Sequence, residues 1–132
     1  MRISSLLSAV CFAASLLALS PIARAASEAA FTQQAFAAAE AAGKPILVEI
    51  TASWCPTCAK QRPILSQLFN TPDFAGLQVF NVDFDSQKDV VRAMGARMQS
   101  TLIVFKGNVE QGRSVGVTDP AAIHDLLAKV KS

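Results

Sequence analysis

Residues 45–70, "PILVEITASWCPTCAKQRPILSQLFN", constrain this chain more than any other stretch. "PILVEIT" is a short apolar run with β-branched residues, and it predicts a buried strand with one anomaly, Glu49. "CPTCAKQRPILSQLFN" predicts a helix that starts at Pro56, where a missing N–H does least harm, and that is kinked at Pro63. Cys55 and Cys58 therefore stand at a strand-to-helix junction, and the rest of the fold has to be built around it.

The flanking segments continue the alternation. "FTQQAFAAAEAAGKP" predicts a helix capped by Thr32, edged by Phe31 and Phe36 and stopped by Gly43. "LQVFNVDF" predicts a strand. "SQKDVVRAMG" predicts a short helix with Ser86 as its cap, Asp89 in its first turn and Gly95 as its stop. "TLIVFKGNVEQGRSVG" predicts two strands around a Gly107-Asn108 turn. "TDPAAIHDLLAKVKS" predicts a closing helix capped by Asp119, with Pro120 in its first position. The expected order is α β α β α β β α. Strands alternating with helices require parallel βαβ units, and a final hairpin adds an antiparallel edge. The fold class is α/β, with a mostly parallel central sheet and an antiparallel C-terminal hairpin.

The first 25 residues read as separate from this domain. Arg2 precedes an apolar run, Ile3 to Leu19, and Ala23-Arg24-Ala25 fits the small-x-small rule for signal peptidase. A secretory signal peptide cleaved after Ala25 is expected, with an uncleaved membrane anchor as the alternative. Cys11 falls inside it, without the small residue directly ahead that a lipoprotein box wants. Cleavage removes 25 of the 132 residues and leaves 107, which is one domain (26–132) able to bury a core. Once Arg2 and Arg24 are gone, ten basic and ten acidic residues remain. No Lys/Arg cluster is left to follow a phosphate backbone, so nucleic acid is not expected as a partner.

Export would put the chain where disulfides persist, and the mature chain can form one intramolecular bridge. As a staple that bridge is weak. Closing a ring of four residues is worth about 2 kcal/mol in the chain-entropy estimate, against ~4.7 kcal/mol for a hundred-residue loop. A closed zinc site wants four ligands, and beside the pair the mature chain offers one histidine, His124, on the last helix, with nothing to bring it near. A site shared between two chains stays open. Redox chemistry suits the junction best. At or beside the N-cap, Cys55 meets free backbone N–H groups and the positive helix end, which favour its thiolate. Cys58, one turn in, is expected to be less exposed. Cys55 would attack a substrate disulfide, and Cys58 would then resolve the mixed disulfide. Trp54 serves either as a flat contact surface beside the pair or as core.

From about Phe31 to Val130 the chain resembles a thioredoxin of the secreted bacterial branch. "ILVEITASWCPTC", the kink at Pro63, "NVDFD", "TLIVFKG" and "SVG" carry the resemblance. It implies the thioredoxin fold, with helices on both faces of the sheet, no cofactor, no metal, and protein disulfides as substrates. Glu49 stands six residues before Cys55, where the family has a buried acid that exchanges protons with the inner cysteine. Burial would raise its pKa, as suits a general base. Val79 stands on the adjacent strand where the family often has a lysine. The implied docking surface comprises Trp54, Pro56, Thr57, Gln99, Ser100 and Thr101.

Ser100 departs from the family, which has a cis-proline before the threonine. A cis bond before a non-proline residue costs ~2.5–4 kcal/mol, against ~0.5–1 kcal/mol before proline, so the Gln99–Ser100 bond is expected to be trans. Besides a neutral exchange, the missing ring has three alternative consequences: weaker docking at Gln99, access to the pair for a bridging metal or iron–sulfur cluster, or a hydroxyl placed to bond a thiolate. The resulting reading is a monomeric thiol:disulfide oxidoreductase of the bacterial periplasm, reducing in direction and fed by a membrane electron donor. A dithiol oxidase, or a metal- or cluster-binding module on the same fold, are the alternatives.

Overall fold

The computed structural model describes residues 25–131; apart from Ala25, the expected signal peptide lies outside them. Five strands form one sheet: β1 (Ser27–Ala30), β2 (Pro45–Thr51), β3 (Gln78–Asp83), β4 (Thr101–Lys106) and β5 (Val109–Val115), in the spatial order β1-β3-β2-β4-β5. The helices are α1 (Gln33–Ala41), α2 (Pro56–Phe69), α3 (Lys88–Ala93) and α4 (Pro120–Ala128). β1 and β2 both run parallel to β3, β4 is antiparallel to β2, and β5 is antiparallel to β4. Strand β4 alone therefore runs against the others.

Alternation along the strands sorts side chains onto two faces. Ile46, Val48 and Ile50 of β2 join Phe80, Val82, Ile103 and Phe105 beneath α1 and α3. There Phe36 meets Phe80 edge-on at 5.8 Å and Phe105 at 5.5 Å between ring centroids, the arrangement aromatic quadrupoles prefer. Leu47, Val79, Leu102 and Val104 face the other way, against Leu65 and Phe69 of α2 and Ile123, Leu126 and Leu127 of α4. Helices thus cover both faces. Glu49, two residues after Leu47, is carried onto the α2 side.

The helix signals hold at most positions. Thr32 Oγ1 accepts from Ala35 N at 3.1 Å, and an Asp119 carboxylate oxygen accepts from Ala122 N at 2.8 Å, each capping its helix. Pro63 lies inside α2. Three features differ from the sequence reading. Strand β1 precedes α1; its four residues are all exposed, and it is held by backbone hydrogen bonds along β3, flanked by Ser27 N to Leu77 O and Phe31 N to Asn81 O. A strand that buries no side chain leaves no periodic signal. A 3-10 turn, Pro72–Phe74, follows α2. The cap of α3 is Gln87 rather than Ser86, because Ser86 gives both its N–H and its hydroxyl to the Asp83 carboxylate, each at 2.7 Å.

The loop entering β4 has an unusual backbone. Gln99–Ser100 is trans, as is every described peptide bond, and Ser100 has φ +59°, the one positive value on a non-glycine residue among those described. This left-handed conformation crowds Cβ against the backbone. Replacing Ser100 by glycine is expected to raise stability by up to about 1 kcal/mol. Proline, fixed near φ −65°, should lower it by more than glycine raises it. In the core, Ile103→Ala is expected to cost about 2–5 kcal/mol, read as a lower urea midpoint at unchanged slope.

Candidate active site

Strand β2 ends at Thr51, and the chain turns through Ala52–Trp54 before α2 begins. Cys55 N donates to Ala52 O at 3.1 Å, closing that turn. Cys55 is the N-cap, with extended backbone (φ −81°, ψ 109°), and its Sγ accepts from Cys58 N at 3.0 Å. The sulfur occupies the place a cap oxygen takes elsewhere, facing a donor at the positive helix end. Pro56 takes the first helical position and is exposed; Thr57 is half-buried. Cys55 and Cys58 form a disulfide with their Cα atoms 5.3 Å apart.

The expected difference in exposure between the two cysteines is not present in this oxidised form. Each is 3% exposed, packed with Ala52 and with Phe84 alongside. The four-residue ring directs the Cys55 sulfur inward over the helix start, toward the Cys58 N–H. Trp54, by contrast, is 57% exposed and so belongs to the surface beside the pair. Its indole Nε1 donates to Asp85 Oδ2 at 2.7 Å. Asp85 fixes the ring from the turn after β3, a role that only the tertiary structure reveals.

Across from the pair lies the loop that precedes β4. Thr101 pairs with Ile50, so the end of β2 and the start of β4 share one edge of the sheet. Gln99 is half-buried, while Ser100 and Thr101 are buried. The Ser100 hydroxyl donates to Gln99 O at 2.5 Å, and the Thr101 hydroxyl to Met98 O at 2.6 Å. Ser100 thus spends its hydroxyl on its own loop in the oxidised form. The loop is tied to α2 by Gln61, whose buried amide reaches Ser100 O at 3.3 Å and Val117 O at 2.9 Å. Gln61 escaped the sequence reading. Its signal is positional: Cys58, Gln61 and Leu65 lie at i, i+3 and i+7, the stripe of α2 that faces inward.

Behind the pair, a cavity of about 390 Å³ opens between α2 and the sheet, lined among others by Cys58, Glu49, Glu28, Arg62 and Asn81. Glu49 is 7% exposed, and its Oε1 is buried without a hydrogen-bond partner. Burial, helped by the Glu28 carboxylate and opposed by Arg62, pushes the Glu49 pKa up to about 7. Val79 sits in register with Leu47 and is sealed in the core, so no cation approaches Glu49 from that position. The nearby cation comes instead from α2. Glu28, Arg62 and Asn81 were not singled out in the sequence, because Glu28 arrives on the unforeseen β1 and Arg62 is an ordinary exposed helix residue. Among the described residues no cluster of three or more His, Cys, Asp or Glu side chains could hold a metal ion. His124 packs edge-on to Phe74 at 5.6 Å, on the α4 side of the domain.

The chain is similar to known proteins. The family model for thioredoxin matches residues 27–129. A thioredoxin of Chlamydia trachomatis is 31% identical over 98 residues, covering 74% of this chain and 93% of its own. An H-type thioredoxin of Fagopyrum esculentum is 31% identical over 91 residues, covering 69% and 77%. Among solved structures, Trxlp from Edwardsiella tarda EIB202 superposes with a TM-score of 0.75 at 40% identity, over 76% of this chain and 98% of that one. The thioredoxin of Malassezia sympodialis, at 21% identity and a TM-score of 0.72 over 84% and 96%, supports the fold alone. With a cysteine pair at the mouth of α2 and a family match spanning the domain, the chain belongs to the thioredoxin family and is a thiol:disulfide oxidoreductase of the CxxC type.

Proposed function

We propose that this protein reduces disulfides of exported proteins in the bacterial periplasm, acting as a monomer and recharged by a membrane electron donor. The observation that carries the reducing direction is the buried Glu49 carboxyl, its Oε1 without a hydrogen-bond partner, on the cavity that Cys58 also lines. In the dithiol form, the Cys55 thiolate attacks one sulfur of a substrate disulfide and the other substrate sulfur leaves as a thiolate. Cys58 gives its proton to Glu49, and its thiolate attacks the Cys55 sulfur. The second substrate thiolate leaves, the pair ends as the disulfide, and two electrons have passed to the substrate. The Glu49 proton then goes to the departing thiolate or to water. Trp54, Pro56, Thr57 and Gln99 form the surface on which the substrate chain docks; Ser100 and Thr101, expected there from the sequence, are buried and shape that surface from beneath. The location rests on Ile3 to Leu19 and Ala23-Arg24-Ala25.

The reduction potential tests the direction. A value near thioredoxin's, about −270 mV, supports the reading; one near −120 mV makes the protein an oxidase. Fractionation and N-terminal sequencing test the location, a periplasmic form beginning at Ala26 being the expected result.

Glu49 also yields a pH prediction. Its folded pKa lies above the ordinary 4.5, so the folded state favours the protonated acid. The stability this confers is fully present below pH 4.5 and is lost as pH rises through about 7, by up to about 3 kcal/mol. Glutamine imitates the protonated acid. Oxidised Glu49→Gln should match the parent in urea unfolding at pH 4 and exceed it at pH 8. The same substitution should slow substrate reduction at neutral pH by about 10²-fold.

A further inference from the structure

The cavity behind Cys58 contains a second carboxylate that the mechanism above leaves idle. Glu28 projects from β1, and its Oε1 accepts from Asn81 Nδ2 at 2.9 Å. Asn81 is the β3 residue in register with Glu49 and lines the same cavity. It is placed to offer its amide to Glu49, yet among the described residues its only side-chain hydrogen bond goes to Glu28, while Glu49 Oε1 has none. We propose that Glu28 is a positioning residue for the proton transfer: it holds the Asn81 amide away from Glu49 and so keeps the buried acid without a donor beside the resolving cysteine.

The chemistry of a carboxyl group gives this arrangement its effect. A hydrogen bond donated to a carboxylate stabilises the ionised form. An acid that receives the Asn81 amide would stay ionised well below neutrality and would bind the Cys58 proton poorly. Deprived of the amide, it can take the proton of Cys58 when the pair is oxidised by substrate and return it when the pair is reduced again. The groups facing Glu49 act together. From β1, Glu28 adds a like charge; from α2, Arg62 opposes it and Cys58 is the exchange partner; from β3 the facing group is the neutral Asn81; from β4 the register partner is the apolar Leu102. The exposed strand β1, which buries nothing, thus supplies a group that tunes the centre.

The inference rests on Glu49 as the proton acceptor, so its test reads Glu49 directly. The carboxyl carbon of Glu49 is followed by NMR against pH in the oxidised protein, with Glu49→Gln providing the assignment. Glu28→Gln removes the charge but leaves an acceptor for Asn81, and should lower the Glu49 midpoint. Glu28→Ala also frees the amide and should lower it further, by at least about half a pH unit below the parent. Adding Asn81→Ala to Glu28→Ala should recover part of that fall, because the freed donor is gone. The proposal is overturned if Glu28→Ala leaves the midpoint in place, or if the double variant titrates as low as Glu28→Ala. Thermal unfolding of each variant confirms the fold, and Glu28→Gln preserves the Asn81 contact should alanine disturb β1. Reduction assays separate the two ideas. A moved midpoint with full activity in Glu49→Gln removes Glu49 from the mechanism and leaves the Glu28 effect standing; an unmoved midpoint with an inactive Glu49→Gln does the reverse.

Discussion

The whole arrangement depends on β2 being central and buried on both faces. It pairs with β3 on one side and β4 on the other, and from Ile46 to Ile50 it has almost no contact with solvent. Such a strand has to be apolar, because any charge within it loses its water without compensation. Glu49 breaks that rule once, and the cost of doing so appears as a pKa near neutrality. The same strand delivers the chain to the helix mouth where Cys55 caps α2. Scaffold, buried acid and sulfur pair therefore lie along one continuous segment, and a shift of β2 in its register would displace all three.

Much of this was legible because the signals are local. "PILVEIT", the caps Thr32 and Asp119, and Pro56 at the first turn of α2 each act through the nearest few residues, so their meaning survives without tertiary context. What was not legible depends on partners distant in sequence. β1 is defined by backbone bonds to β3, roughly fifty residues away, and offers no buried side chain to betray it. Ser86 has a good capping side chain, but Asp83 takes its hydroxyl first. Gln61, Asp85 and Glu28 are ordinary polar residues until the fold sets each against its acceptor or donor.

The loop at Ser100 shows how one departure from a family pattern is absorbed. In the absence of proline the bond is trans and the serine takes a left-handed conformation. Three hydrogen bonds fasten the turn: Ser100 O accepts from Gln61 and from Gly116 N at 2.9 Å, and the Ser100 hydroxyl bonds Gln99 O. Polar ties to α2 and to the end of β5 hold what a rigid ring holds elsewhere. Because Gln61 sits on the same helix stripe as Cys58, the loop before β4 and the inner cysteine share one rigid support.

The reversed direction of β4 has a practical corollary. It brings the entry to β4 to the sulfur pair and sends the β4–β5 turn to the far end of the sheet, where Gly107 N bonds Lys44 O at 3.0 Å and Gly107 itself is packed against the backbone of Glu40 and Gly43. Asn108, next in the chain, is exposed. A linker, dye or solid support attached at Asn108 would hold the domain by its heel, with the reactive rim pointing away from the surface and open to large clients.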